Sequence, residues 1–303
     1  MKNSSMTGAC MALGAAVLWG TTGTAQSFAP PQTSPYWIGA LRLAIACLFF
    51  GAYAARGWRG GGARVAAGGR RMAGGILLAG LCMAAYNLTF FAGVKATGVA
   101  VGTALAIGSG PVWAGVLQFA LTGRAPQGVW WLGTALAVAG AGLMVAVAGG
   151  GLRLDAGGIT LCLLAGLAYA GYTLISQRLV RRAPPAIVTL WVFGVAAAIS
   201  APAAFIVAGP FSSTAAGWTV VTYLGVVSTG VAFLLFSHAL QYISGPSGVT
   251  LALAEPVTAF ALAVFVVGER PPATAFAGLG MVLAGLAAVV WTEARGRRGG
   301  KAA

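Results

Sequence analysis

Charged side chains are scarce in this sequence, since Asp, Glu, Lys and Arg make up only 7% of its 303 residues while 59% are hydrophobic. Soluble globular domains carry about a quarter charged residues. The composition therefore excludes a water-soluble globule and predicts a membrane protein. At roughly 30 residues for one span and its loop, the length allows about ten transmembrane helices and leaves no room for a soluble catalytic domain.

Acidic residues, histidine and cysteine are also few, with four acids, one histidine and four cysteines. The cysteines lie in apolar segments without CxxC spacing: Cys10, Cys47, Cys82 and Cys162. This supply favours neither a zinc site nor a disulfide framework. We expect no metal and no cofactor, and no ATP-binding motif is found in the sequence.

Ten apolar stretches of helical length run along the chain. They cover residues 6–26, 34–55, 72–93, 97–121, 128–148, 157–177, 186–208, 216–239, 245–267 and 273–292. The connectors between them are short and rich in Pro and Gly, which begin or end helices. The first stretch is interpreted as a retained helix rather than a signal peptide, because nine more spans follow it. The predicted fold class is an all-α integral membrane protein.

Basic residues predict the orientation of these spans, because cytoplasmic loops keep Lys and Arg. With the N-terminus inside, fourteen of the 18 basic residues fall on the inner side. They are Lys2, Arg56, Arg59, Arg64, Arg70, Arg71, Arg124, Arg178, Arg181, Arg182, Arg295, Arg297, Arg298 and Lys301. Both termini are therefore predicted to be cytoplasmic. The net charge of +14 reports this topology and contact with anionic lipids, and it does not indicate nucleic-acid binding.

An internal repeat divides the chain into two halves, 1–150 and 151–303. An offset of 145 residues superimposes helices 3–5 on helices 8–10. The coinciding pairs include Pro111/Pro256, Pro126/Pro271, Gly133/Gly278 and Gly140/Gly285. An offset near 150 places Trp19-Gly20 on Tyr169-Ala170. Each half then has five spans, followed in the second half by a basic tail.

Five spans per half require the two halves to lie upside down relative to each other, and the loop charges agree. The loop after helix 2 carries five arginines, while its counterpart after helix 7 carries none. The loop after helix 1 carries none, while its counterpart after helix 6 carries three. Inverted five-helix repeats are typical of secondary transporters that work by alternating access around a site at the bilayer midplane.

Pro111 and Pro256 occupy equivalent positions within helices 4 and 9, where each is expected to kink or break the helix. Broken helices expose polar backbone to a cavity, so we interpret the pair as hinges beside a site. Glu255 and Arg42 also lie within spans, at matching depths. They form either a structural ion pair or two charges of a wet cavity, with Arg42 attracting a carboxylate and Glu255 an ammonium group or a coupling proton.

Aromatic and polar side chains within spans are further candidates for substrate binding. They are Trp19, Tyr86, Asn87, Ser109, Trp113, Tyr169, Tyr172 and Trp191. His238, near the inner end of helix 8, either titrates in proton coupling or bonds to helix-end carbonyls. Small residues recur at Gly133, Ala137 and Ala141 and again at Gly280, Ala284 and Ala288. This spacing favours close packing, or a weak homodimer, through helices 5 and 10.

An intramembrane hydrolase is the alternative function considered from outside the transporters. The reason is a faint resemblance to the dyad of rhomboid proteases, given by Ser109 between two glycines and the single His238. Gly and Ser are abundant here, and rhomboids lack a five-plus-five inverted repeat. The prediction is therefore not an enzyme. A membrane scaffold without transport would not need matched prolines.

Several motifs resemble the EamA-type transporters of the drug/metabolite superfamily. They are Leu18-Trp19-Gly20, Arg42, Gly110-Pro111-Val112, Glu255-Pro256-Val257 and Gly268-Glu269-Arg270. The resemblance covers nearly the whole chain. It implies a ten-helix basket with a central cavity formed mainly by helices 1, 3, 4, 6, 8 and 9. Arg124 follows helix 4 where Glu269 follows helix 9, so the resemblance carries no role over to Glu269.

Within that family, the chain resembles the YddG-type amino-acid exporters. We therefore expect export of neutral or aromatic amino acids across a bacterial inner membrane, in contact with lipids and without nucleic acid. Nucleotides, sugars and drugs remain alternative substrates. Coupling to protons and passive facilitation both remain open.

Overall fold

The computed structural model describes residues 2–30, 33–55, 68–147, 155–267 and 271–299. The remaining residues include Arg56, Arg59, Arg64, Glu269, Arg270 and Lys301, so the predictions for them fall outside the described residues. Throughout the described part the chain is helical, without β-strands.

In the part of the chain that the structure describes, ten helical spans follow one another, and each overlaps its predicted position. The first five are α1 (Lys2–Gly20), α2 (Pro35–Ala55), α3 (Gly69–Thr97), α4 (Val99–Thr122) and α5 (Gly128–Val147). The second five are α6 (Ala156–Val180), α7 (Pro185–Ala208), α8 (215–239), α9 (245–267) and α10 (Ala273–Gly299). Eight of the spans are long and apolar enough to cross a membrane, and the shorter Gly128–Met144 is also apolar. The ten described spans form two inverted five-helix repeats. We call the end of the bundle at which α1 begins the inner end, because the loop charges predict that it faces the cytoplasm.

Local signals at the helix ends explain where the chain turns. Gly98, with φ of +88°, is the single residue between α3 and α4, and Gly123 ends α4 in the left-handed region. Asp155 and Ser244 begin α6 and α9, each accepting a hydrogen bond from a backbone N–H of the first turn. Tight turns of this kind keep consecutive spans antiparallel.

Three spans depart from simple α-helices; the interruption of α9 beside Pro256 was expected, whereas those of α1 and α8 were missed from the sequence. Helix α1 stops at Gly20, turns at Thr21 and continues as the short helix Thr22–Ser27. Helix α8 contains a π-helical segment, Leu224–Val231. Helix α9 contains a 3₁₀ turn at Ala252–Ala254 and a π-helical segment at Ala263–Val267. Such interruptions occur frequently at functional sites.

The most extensive helix contacts join the two halves in symmetric pairs. Helix α2 packs on α7 and α5 on α10, while the contacts of α3 with α6 and of α4 with α6 match those of α8 with α1 and of α9 with α1. Equivalent residues meet equivalent residues in these contacts. A Cβ added to Gly80 would meet Val195, and a Cβ added to its counterpart Gly225 would meet Ile45.

Helices α5 and α10 approach each other through glycine on both sides. A Cβ on Gly133 would lie 2.9 Å from the carbonyl oxygen of Gly285, and a Cβ on Gly278 would lie 2.7 Å from that of Gly140. The small-residue face of α5 is therefore covered by α10 of the same chain. Gly280 and Ala284 on α10 face outwards, so a homodimer through that face stays a prediction.

The two ends of the bundle differ in packing. Residues 245–254, at the inner end of α9, are all buried, whereas six of the nine counterparts 101–109, at the outer end of α4, are partly exposed. Helix α6 packs against the first turns of α9. Their symmetric counterparts, α1 and α4, do not pack extensively against each other over the described residues. The bundle is closed at its inner end and looser at its outer end.

Candidate functional site

Arg42 lies on α2, and two interactions with residues of α3 fix its side chain. Its Nη2 donates a hydrogen bond of 3.3 Å to Oδ1 of Asn87, and its guanidinium carbon lies 5.6 Å from the centre of the Phe91 ring. Arg42 is partly exposed, although its Nε and the Nδ2 of Asn87 are buried without a hydrogen-bond partner. Two N–H donors beside a positive charge suit an anionic oxygen.

Glu255 follows the 3₁₀ turn of α9 and begins the next helical segment. Its side chain is partly exposed and interacts electrostatically with Arg42, Tyr86 and Tyr169. Within the described residues no ion pair joins Arg42 and Glu255, so the structural ion pair considered from the sequence is wrong for this conformation. The two charges instead lie on opposite halves of one site, with Arg42 bonded to Asn87.

An aromatic wall connects the two halves beside these charges. Trp19 and its symmetry counterpart Tyr169 meet edge to face with ring centres 6.3 Å apart. Tyr86 lies 5.4 Å from Tyr169, and Trp19 lies 4.9 Å from Phe233 and 5.2 Å from Phe236. The Nε1 of Trp19 is a third buried N–H donor without a partner. The wall offers apolar ring surface next to separated positive and negative charges.

Two further predicted residues lie at the edge of this wall. Trp113 packs with Tyr169 against the cluster of Ala114, Ala170 and Val249. Ser109 faces Gly166 of α6, and its hydroxyl donates to the carbonyl oxygen of Ala106 at 3.4 Å. Tyr172 is buried behind the wall against Phe193 and Phe233. The structure thus brings Trp19, Arg42, Tyr86, Asn87, Trp113, Tyr169 and Glu255 around one centre.

The two prolines predicted as hinges differ in their surroundings. Pro111 lies within α4, which is a single α-helix from Val99 to Thr122. Pro256 lies directly after the 3₁₀ turn Ala252–Ala254, in the first turn of the helix that begins at Glu255. The expected interruption is present at Pro256, while at Pro111 the helix continues. Whether either residue acts as a hinge stays a prediction.

His238 and Trp191 lie away from this centre. The Nδ1 of His238 is 2.8 Å from the carbonyl oxygen of Leu234 in its own helix. Trp191 is 47% exposed on the outside of the bundle. The imidazole of His238 and the hydroxyl of Ser109 bond to carbonyls of two different helices and not to each other, so these two residues do not form a Ser–His dyad. The described residues contain no cluster of side chains suited to a metal ion.

A separate cavity of about 210 Å³ opens at the inner ends of α4, α5, α9 and α10. Its polar lining comes from Gln118, Gln127, Ser244, Ser247, Thr292 and Glu293. Oε1 of Glu293 accepts hydrogen bonds from both N–H and Oγ–H of Ser244, at 3.1 and 2.5 Å. These bonds tie the end of α10 to the start of α9.

Sequence reasoning missed the phenylalanines of the wall and the contacts that close the inner end. Phe233 and Phe236 stand three residues apart in an apolar run that gives no signal of which face is inward. Gln177 Nε2 donates to the carbonyl oxygen of Ile243 at 2.7 Å, and Gln241 Nε2 donates to that of Val180 at 2.9 Å. The i, i+4 spacing of Phe233, Ser237 and Gln241 could have indicated one common face.

Comparisons with known proteins agree with this geometry. The chain matches the model of the EamA-like transporter family over residues 6–146 and again over 156–291. It is 36% identical, over 90% of both chains, to the uncharacterized transporter YwfM of Bacillus subtilis. An uncharacterized transporter of Archaeoglobus fulgidus is 32% identical over 45% of this chain and 48% of its own. A crystal structure with 19% identity shares the fold, with a TM-score of 0.81 over 96% of this chain and 98% of the other.

Proposed function

This chain belongs to the EamA-like transporter family, and from that premise we propose that it exports neutral or aromatic amino acids across the bacterial inner membrane. The substrate crosses through the central site by alternating access. The single observation that carries the proposal is the arrangement of opposite charges around an aromatic wall. Arg42 with Asn87 on one half faces Glu255 on the other, without an ion pair between Arg42 and Glu255.

A free amino acid fits this arrangement by its charges. Its carboxylate would accept hydrogen bonds from Arg42 and from the unpartnered N–H groups of Asn87 and Trp19. Its ammonium group would lie beside Glu255, and its side chain would lie against Trp19, Tyr86 and Tyr169. Each substrate charge then replaces its hydration with a fixed partner, which reduces the cost of entering the membrane interior. A purely apolar drug would leave both protein charges unsatisfied.

Alternating access is supported by the symmetry of the scaffold and the asymmetry of its packing. The halves are joined by matched contacts, while the inner end is closed and the outer end is looser. If the two halves exchanged conformations, the tight packing would move to the outer end and the loose packing to the inner end. The outer end would then close and the inner end would open. In this proposal α3 and α4 rock against α8 and α9, with Pro111 and Pro256 as hinges.

The test of the proposed function is uptake of labelled amino acids into proteoliposomes of the purified protein, with nucleotides and sugars as controls, with and without a pH gradient. Saturable uptake of amino acids that unlabelled amino acids compete away would support the proposal. Uptake of nucleotides or sugars alone would replace amino acids with another metabolite class. Uptake of nothing on the panel would contradict amino-acid export.

Glu255 is the proposed proton carrier, because it is a carboxylate within a span and faces the site. Replacing Glu255 with Gln is expected to leave uptake driven by the substrate gradient, at a higher KM because the ammonium group loses its charged partner, but to remove its sensitivity to the pH gradient. Glu293→Gln is the matched control, since that carboxylate lies at the inner end, and it should keep the sensitivity. Equal gradient sensitivity in Glu255→Gln would reject the role, and no sensitivity in the unmodified protein would identify a facilitator.

A further inference from the structure

A group of buried hydroxyls lies on the inner half of α6 and α8, outside the central site. Its members are Tyr172, Thr173, Ser176 and Ser237, each no more than 2% exposed. Each side-chain oxygen is buried without a hydrogen-bond partner. Most buried polar groups in proteins are hydrogen-bonded, so four such oxygens in one place require a physical reason. We refer to these four residues as the hydroxyl cluster of α6 and α8.

The four side chains are neighbours rather than scattered exceptions. The hydroxyl of Tyr172 lies close to those of Ser176 and Ser237, although none completes a hydrogen bond of standard geometry. Thr173 in turn lies close to the hydroxyl of Tyr169 in the central site. The hydroxyl cluster of α6 and α8 therefore continues from the aromatic wall towards the inner end of the bundle.

The inverted repeat shows what the equivalent positions do at the other end of the molecule. With an offset of 150, Pro35 at the start of α2 matches Pro185 at the start of α7, so the register holds through this region. Tyr172, Thr173 and Ser176 then correspond to Thr22, Gly23 and Gln26. These three counterparts are partly or fully exposed at the looser outer end. The same positions of the repeat are thus exposed in one half and buried in the other.

The helix geometry differs between the halves at the same point. Helix α1 ends at Gly20, turns at Thr21 and resumes at Thr22. Its counterpart α6 runs without interruption through Gly171, which is the equivalent of Thr21. Apart from proline, glycine is the residue that stabilises a helix interior least. Helix α6 therefore has a weak point at the position where α1 is already broken.

We propose that α6 bends at Gly171 when the inner end opens, and that the hydroxyl cluster of α6 and α8 then forms the inner wall of the substrate path. This inference rests on the proposed alternating access. The proposal explains why the four hydroxyls lack hydrogen-bond partners. They meet water and substrate in the inward-open state and are enclosed only in the present conformation, which is closed at its inner end.

The chemistry of these residues suits a passing amino acid. A hydroxyl both donates and accepts hydrogen bonds, so it can solvate a carboxylate and an ammonium group in turn. The four residues carry no charge at neutral pH, so they would hold the substrate more weakly than Arg42 and Glu255 do. A zwitterion can then move between the central site and the cytoplasm.

The contacts that must break on opening are identified by the structure. Gln177 and Gln241 each donate to a backbone carbonyl across the junction between α6 and the α8–α9 loop. The carbonyls belong to Ile243 and Val180, which are buried at the inner end. These two bonds hold the inner end closed over the hydroxyl cluster of α6 and α8.

The test is cysteine labelling in a background in which Cys10, Cys47, Cys82 and Cys162 are replaced by serine or alanine. Ser176→Cys and Ser237→Cys are exposed, in separate variants, to a membrane-impermeant maleimide applied from the inner side of oriented vesicles. Thr134→Cys is the matched control, because Thr134 is equally buried but lies on α5, outside the proposed path. We expect labelling at 176 and 237 at least tenfold faster than at 134.

Two results would overturn the proposal: labelling at 176 no faster than at 134, or labelling at 237 no faster than at 134. The rates are read without any substrate, so they remain informative if amino-acid export is disproved. Robust amino-acid uptake without labelling would reject this inference alone.

Gly171→Ala tests the hinge separately. A Cβ at this position would lie 3.3 Å from Sγ of Cys82, so a small side chain fits with a slight adjustment. The variant is expected to slow labelling at 176 several-fold and to lower the maximal uptake rate, with little change in KM for substrate from the outer side. Gly142→Ala is the control, because nothing lies within 4 Å of its added Cβ. Labelling of Gly171→Ala at the rate of that control would reject the hinge.

Discussion

Replacing Gly140 with alanine tests how closely the two halves are joined at α5 and α10. The added Cβ would lie 2.5 Å from the carbonyl oxygen of Gly278, 2.8 Å from Cβ of Met281 and 2.8 Å from the backbone nitrogen of Val282. Two of these three neighbours are backbone atoms, which no side-chain rotation can move away. The helices themselves must separate to accept the methyl group.

The magnitude follows from two opposing effects. Overpacking a close contact costs about 1–3 kcal/mol, while alanine stabilises a helix interior by up to about 1 kcal/mol relative to glycine. Gly142 stands two residues further along α5 and has nothing within 4 Å of its added Cβ, so only the second effect acts there. The two variants should differ by about 1–3 kcal/mol, or roughly 2–6 °C in Tm.

The assay is thermal unfolding of both purified variants in the same detergent, followed by the loss of the monodisperse peak in size-exclusion chromatography. Gly140→Ala should unfold at a lower temperature than the original protein, and Gly142→Ala at the same or a higher one. If the two variants unfold together, the close approach of α5 and α10 does not hold the halves as described.

Three further expectations concern the site and the inner end. Arg42→Gln removes charged hydrogen-bond donors worth about 1.5–3 kcal/mol, so KM for an amino acid should rise about 10- to 100-fold, while KM for the corresponding decarboxylated amine changes little; an equal rise for both would show that Arg42 does not meet the carboxylate. Tyr86→Ala and Trp113→Ala should each change the ratio of aromatic to aliphatic amino-acid uptake at normal protein yield, and unchanged selectivity in both would remove them from the wall. Ser244→Ala removes a helix cap and the bonds from its hydroxyl to Glu293 and should lower Tm by a few degrees, since a cap contributes about 1 kcal/mol; an unchanged Tm would mean that this junction adds no stability.

Most of the fold could be predicted because its signals are repeated along the chain. Apolar length gives the spans, basic loops give their orientation, and Pro111/Pro256 and the glycine pairs give the register of the repeat. The break at Thr21 could not be predicted, because no Pro or Gly occupies that position and the turn depends on contacts such as the hydrogen bond from Tyr223 to its hydroxyl. The boundary between the halves at residues 150 and 151 lies outside the described residues.

The site was predictable only where a residue is unusual for its surroundings. Arg42, Asn87 and Glu255 stand out because a polar group within a span carries a cost. Their mutual arrangement did not follow from depth alone, since depth fixes the position along the membrane normal but not the direction around the helix. Equal depth suggested an ion pair, whereas the structure has Arg42 bonded to Asn87. The hydroxyls of α6 and α8 gave no signal, because Ser and Thr are common in apolar helices.

The glycine contact between α5 and α10 also restricts how the two halves can change over evolutionary time. Because Gly140 meets Gly278 and Gly133 meets Gly285, a larger residue in either half collides with backbone contributed by the other. Neither half can vary at these positions on its own, however early the two copies separated. Arg42 and its counterpart Val192 show the opposite case, in which one half has a charge and the other a buried aliphatic side chain. The two halves therefore need the same small residue where their backbones touch, whereas side chains such as those of Arg42 and Val192 can differ.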